Sequence, residues 1–217
     1  MDFVLVHGTT QSPASWARVA TLLTAAGHRA IAVDLLTPED LPVEGYAQHV
    51  REQYGGERPV VVAHSGSGVL LPAIAEALGA RALVWLAAYI PDFPGGKCLR
   101  DEARTMLEPD WIGVDPTADP AKASEFLFHD CDSETEHLAL DSLRLFDPAV
   151  LAAHPAGPAP EIPSTVIVPT RDRTLKPVWQ RRAARERLGV TAIEIDAGHC
   201  PHVSRPAEIA GILTGRA

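Results

Sequence analysis

Along the chain, short and nearly continuous apolar runs alternate with longer stretches of helical spacing. The runs fall at residues 3–6 (FVLV), 30–33 (AIAV), 60–63 (VVVA), 82–86 (ALVWL), 165–168 (TVIV) and 192–195 (AIEI). Rich in β-branched residues and almost without polar alternation, they predict strands buried on both faces, as in a parallel sheet. Residues 14–26, 43–54, 68–78, 177–188 and 206–213 carry the helical spacing. Pro177 and Pro206 suit first-turn positions, and Gly27, Gly79 and Gly189 suit C-terminal stops. Strand and helix in regular alternation predict an α/β fold, a mostly parallel sheet with helices on both faces.

One interval breaks the rhythm. Residues 91–163 hold no buried strand pattern, whereas Leu138, Leu140, Leu143, Leu145, Val150 and Leu151 predict short amphipathic helices, and Pro155, Pro158, Pro160 and Pro163 form a stiff exit. An interruption this long between core strands is usually functional. It holds Phe93, Trp111, Phe126, Phe128 and Phe146. Two readings stand equally: a lid that walls an apolar pocket, or a surface helical layer with its own small core. The expected division is a core of residues 1–90 and 164–217 with a cap of residues 91–163.

At 217 residues the chain is long enough to bury a substantial core as one domain. A net charge of −9, with basic residues gathered only on the 180–185 helix face, lacks the footprint of a nucleic-acid partner. Cys98, Cys131 and Cys200 are too far apart and odd in number for a disulfide framework or a paired-cysteine zinc site. The longest apolar run, residues 82–90, is too short to span a bilayer. Met1-Asp2 leads straight into an apolar strand without signal-peptide features, so a cytoplasmic protein with no membrane partner is expected.

The stretch VVVAHSGSGV at residues 60–69 holds two serines at a strand end, where open parallel sheets place their sites. A nucleophile on a tight strand-to-helix turn needs small residues two positions before and after it. Ser65 has Ala63 and Ser67 there; Ser67 has Ser65 and the β-branched Val69, which crowds the turn. Ser65 therefore meets the steric demand, with Ser67 standing for a glycine and Gly68 packing near the sheet. Serine also needs a general base and a group to orient that base. His199, in DAGHCPH after the last strand, is the candidate base; His202 is expected at the surface or in a capping role, and a His199/His202 metal pair lacks further ligands. Asp172, in VIVPTRD at the preceding strand end, is the candidate acid, with Asp92 as the alternative and Asp196 too near His199 in sequence. Oxyanion donors are expected from the backbone N–H groups of Gly66 and of Thr9, in the first-strand exit His7-Gly8-Thr9-Thr10.

The ordered set FVLVHG, Trp16, Leu22-Leu23, Gly27-His28, Val33-Asp34-Leu35, AHSGS, TRD and AGHCPH resembles the α/β-hydrolase superfamily along nearly the whole chain. The compact size and Phe128-His129-Asp130-Cys131 further resemble the small esterase branch of plant methylesterases and hydroxynitrile lyases. The resemblance implies a six-stranded parallel core, a helical cap inserted before the acid-bearing strand, and no cofactor. It implies hydrolysis of a small to medium, largely apolar carboxylic ester, with a thioesterase, acyltransferase, lactonase, lyase or non-catalytic receptor as the alternatives. The lyases of that branch carry a threonine after the first-strand histidine and a lysine after the catalytic histidine; here Gly8 and Cys200 stand at those places, which favours hydrolysis.

Overall fold

The computed structural model describes residues 1–215; residues 216–217, the end of the expected core, lie outside the described residues. Six strands form one all-parallel sheet: β1 (Asp2–Val6), β2 (Arg29–Val33), β3 (Val60–His64), β4 (Ala82–Leu86), β5 (Ser164–Pro169) and β6 (Ile193–Ile195), in the order β2-β1-β3-β4-β5-β6. Helices α1 (Ala17–Ala25), α2 (Val43–Tyr54) and α3 (Leu71–Leu78) connect the first four strands. Between β4 and β5 come α4 (Leu99–Met106), α5 (Pro120–Ala123) and α6 (Ser133–Asp141); α7 (Pro177–Leu188), α8 (Pro201–Ser204) and α9 (Pro206–Thr214) complete the chain.

The period-two geometry of strands explains why the runs are apolar throughout. Phe3, Leu5, Val62, Leu86, Ile167 and Ile195 face α1 and α9, where Val19, Leu23, Ile209 and Leu213 meet them. Val4, Val6, Val61, Ala63, Trp85, Val166 and Val168 face α2, α3 and α7. Each side chain so buried contributes about 1.5–3 kcal/mol, which makes the sheet a rigid platform. The order of the strands reverses between β1 and β3, and their carboxyl ends open a crevice there.

Expected helices differ in detail: in the 14–26 stretch, Pro13–Trp16 forms a 3-10 turn and regular helix starts only at Ala17. Residues 65–70 form a tight 3-10 turn, and regular helix begins only at Leu71, where Pro72 fits the first turn without an N–H to waste. The final helix is preceded by the separate turn α8, because Pro201 and Pro206 each restart the backbone. Among the described residues, no helix is long and apolar enough to cross a membrane.

The interval between β4 and β5 folds back over the carboxyl edge. Trp111, Ala123, Phe126, Leu127, Phe128 and Ala139 pack with Cys200 and Val203 in a cluster of their own, while Phe146 joins the sheet core edge-to-face with Tyr46.

Candidate active site

Strand β3 ends at His64 and the chain turns at Ser65 with φ +57, a left-handed conformation that a non-glycine residue adopts only at a cost of about 1–2 kcal/mol. The surroundings hold it there. The Tyr89 N–H donates to the Ser65 carbonyl at 3.0 Å. Gly68 passes so close beneath that an added Cβ would stand 1.9 Å from the Tyr89 carbonyl oxygen, and a Cβ on Gly8 would meet His64 Nδ1 at 2.6 Å. Ser67 is fully buried, its hydroxyl donating to the His7 carbonyl at 2.5 Å. Of the two serines, one fastens the turn to β1 and the other faces the crevice.

His199 Nε2 lies 3.0 Å from Ser65 Oγ, and His199 Nδ1 lies 2.9 Å from Asp172 Oδ2. With Nδ1–H donating to the carboxylate, Nε2 is left to accept the serine proton. Asp172 is saturated with donors: its Oδ1 accepts the N–H groups of Thr174 (2.8 Å) and Leu175 (2.9 Å), and its Oδ2 also accepts Gln180 Nε2 at 2.9 Å. The alternative acids are engaged elsewhere. Asp92 accepts the Gly95 N–H and lies 3.7 Å from Arg187, and Asp196 pairs with Arg171 at 2.6 Å.

The loop bearing His199 is clamped from two sides. Asp130, from the segment between β4 and β5, accepts the Gly198 N–H at 2.9 Å and the Ser204 hydroxyl at 2.8 Å. From below, His64 Nε2–H donates to the His199 carbonyl at 2.9 Å. Sequence reasoning missed Gln180, Asp130 and His64 as supports, since isolated polar residues carry no periodic signal.

His202 departs from its expected surface or capping role: it is completely buried. The α8 turn rolls its ring inward against Trp16 (centroids 4.3 Å apart) and His64 (4.5 Å), and its Nε2–H donates to Gln11 Oε1 at 3.1 Å. Burial lowers its pKa to about 3 and holds that of His64 well below the ordinary histidine value. Gln11 Nε2 in turn donates to Cys200 Sγ at 2.9 Å, and burial pushes the Cys200 thiol well above its usual range, so the sulfur is neutral and inert. His7 is satisfied as its place in a strand exit requires: Nδ1–H donates to the Gly8 carbonyl at 2.9 Å and Nε2 accepts the Leu35 N–H at 3.1 Å.

Ser65, Gly66 and Thr9 open onto a cavity of about 90 Å³ walled by Tyr89, Leu99, Met106, Leu107, Trp111 and Leu151. Thr9 and Gly66 touch closely, since a Cβ on Gly66 would meet Thr9 Cγ2 at 2.6 Å. A much larger groove of about 1060 Å³, bordered by Leu41, Val69, Phe93, Val150 and Ile162, contains none of these reactive groups. Size alone does not mark the chemistry; the titratable groups do. The arrangement fits a nucleophilic serine with a relayed base, able to carry out acyl transfer.

Comparison with known proteins gives the same frame. A family model described as "Alpha/beta hydrolase family" matches residues 3–212. The protein named "Probable hydrolase R7" from Phoma sp. is 28% identical over 176 residues, 73% of this chain and 69% of that one. Methylesterase 1 of Arabidopsis thaliana is 33% identical over 105 residues, and the match spans 42% of this chain and only 40% of the plant protein. The solved pyrethroid hydrolase from Sphingobium faniae superposes with a TM-score of 0.79 at 22% identity, covering 99% of this chain and 96% of that one; at such identity the likeness concerns the fold alone.

Proposed function

The chain belongs to the alpha/beta hydrolase family, and on that premise we propose that it is a serine esterase that cleaves small to medium, largely apolar carboxylic esters through an acyl-enzyme. The observation that carries the reading is the unbroken line Asp172–His199–Ser65, with the serine on a strained turn at the mouth of an apolar cavity. Relatives named as a hydrolase and a methylesterase support it.

In this mechanism Ser65 Oγ attacks the ester carbonyl while His199 Nε2 takes its proton. The carbonyl oxygen becomes an oxyanion, received by the N–H groups of Gly66 and Thr9. His199 then gives its proton to the departing alkoxide, and the alcohol leaves an acyl group on Ser65. Water, deprotonated by His199, attacks that acyl carbonyl and frees the acid and the serine. Asp172 holds the histidine in the tautomer with Nδ1–H and stabilises the imidazolium formed twice in the cycle. Cyanohydrin cleavage in the hydroxynitrile lyases draws on a lysine directly after the histidine, and here that place holds Cys200, a neutral, buried thiol bonded to Gln11.

The test is covalent labelling with a fluorophosphonate. One equivalent should bind to the intact protein and none to Ser65→Ala. Absence of labelling in the intact protein would overturn the reading, and labelling that survived in Ser65→Ala but vanished in Ser67→Ala would move the nucleophile.

A further inference from the structure

The cavity beside Ser65 carries information about the substrate that the triad alone does not. Its lining includes Ser65 and both candidate oxyanion donors, Gly66 and Thr9, and does not include His199. Because His199 must hand its proton to the departing oxygen, the alcohol lies on the histidine's side. The acyl carbon bonds to Ser65 Oγ and its oxygen rests on the Gly66 and Thr9 N–H groups, and since all three residues line this cavity it is the apolar recess next to the acyl chain.

About 90 Å³ is little room. An apolar protein cavity of about 150 Å³ is a size that admits benzene, and pockets for drug-sized ligands run from about 300 to 1,000 Å³. The walls are also fixed. Tyr89, shared between this cavity and the larger groove, is stacked on Trp179 (centroids 5.7 Å, planes 13° apart), and its hydroxyl donates to Glu102 at 3.0 Å. Glu102 is itself held by Arg187 at 2.6 Å. Tyr89 is thus a braced partition that keeps a long chain from continuing into the groove. Trp111, also in the wall, is buried and leans on Phe126 with centroids 5.5 Å apart.

Among the described residues, no charged side chain lines the cavity, and the Thr174 hydroxyl is already given to the Phe126 carbonyl. A carboxylate or ammonium on the acyl chain would be desolvated there without a partner. We propose, resting on the serine-esterase reading above, that the natural substrates are esters of short, uncharged aliphatic acids, acetyl to butyryl, and that Trp111 and Leu151 set this limit by excluding aromatic and longer acyl groups.

The experiment is a kcat/KM profile over p-nitrophenyl acetate, butyrate, hexanoate, octanoate and benzoate. The acetate and butyrate esters should lead, with a fall of about tenfold or more at hexanoate and benzoate. Trp111→Leu and Leu151→Ala, both in the cavity wall, should each shift the profile toward hexanoate and benzoate; either variant suffices if the other fails to fold. Octanoate or benzoate cleaved as well as acetate by the intact protein overturns the proposal, as does an unchanged profile in the folded variants. Fluorophosphonate labelling of the same preparation separates the two levels. Stoichiometric labelling with a flat profile removes only the chain-length limit, whereas no labelling and no cleavage of any ester removes the esterase reading with it.

Discussion

Ser65 and Ser67 stand two residues apart, and one backbone angle separates their roles. At φ +57 the Ser65 side chain is thrown toward His199, while Ser67 turns under the sheet to the His7 carbonyl. The small residues flanking Ser65 pointed to that assignment, because bulk two positions away is what the turn forbids. Strand order favours Asp172 over Asp92 as the orienting acid, and the 2.9 Å contact with His199 supports it. In activity assays with a short-chain ester, Asp172→Asn should lose about 10⁴-fold in kcat by stabilising the wrong histidine tautomer. Asp92→Asn should retain most of the rate, and the reverse ranking would reassign the acid. Gln180 was not legible at all: a glutamine in the first turn of α7 looks like any polar helix residue, and only packing aims its Nε2 at Asp172 and at the Leu175 carbonyl. Losing a hydrogen bond to a charged group costs about 1.5–3 kcal/mol. Gln180→Leu should therefore lower stability to urea by about 1.5–3 kcal/mol, and lower kcat/KM by letting the Asp172 carboxylate tilt away from His199. With less of its charge drawn off, Asp172 favours the imidazolium more strongly, so the acid limb of the pH–rate profile should move to higher pH. A drop in rate with an unmoved limb would mean that Gln180 only packs.

At the scale of elements, the site is a junction of β1, β3, β5 and the loop after β6, tightened by close backbone approaches. The turn Ser65–Leu70 runs under Tyr89 with no room for a methyl at Gly68. Gly68→Ala should cost about 3 kcal/mol or more in urea unfolding and displace Ser65, because the atom it meets is backbone and cannot swing aside. A loss under 1 kcal/mol would show the turn to be far more yielding than this geometry requires. The sequence pattern leaves the segment between β4 and β5 as either a lid or a layer with its own core. Trp111 belongs to both descriptions, packed in the aromatic cluster and bordering the cavity at once. Asp130 adds a third part, since it reaches across to fix the loop of His199.

For the whole molecule, buried histidines tie stability to pH. Unfolded, His64 and His202 take up protons near the ordinary value of 6.5; folded, His202 resists to about 3 and His64 to well below its ordinary value. Between those limits the unfolded chain binds more protons, so stability falls as pH drops through 6.5, by up to about 1.4 kcal/mol per pH unit for each histidine. Above that range both states hold neutral rings and the contribution to the slope vanishes. Urea unfolding at about pH 7 and pH 5 should register this loss, and His202→Gln should reduce it in part, since burial also lowers His7 and His129. An identical pH slope in the variant would show that His202 is not the group being titrated.

What the sequence determined is the frame: unbroken apolar runs demand a sheet covered on both faces, the Gly and Pro punctuation spaces the helices, and small residues around Ser65 permit a sharp turn. It also fixed the order serine, aspartate, histidine, because each follows a strand and parallel strands all deliver their ends to one edge. Tertiary structure decided everything that depends on three-dimensional approach between distant segments. It turned His202 inward, set Gln180 on Asp172, and left beside Ser65 a cavity of about 90 Å³ bounded by Tyr89 and Trp111. Local pattern reports which face of an element is buried, but not which distant atom it meets, and both bracing and cavity size are properties of those meetings.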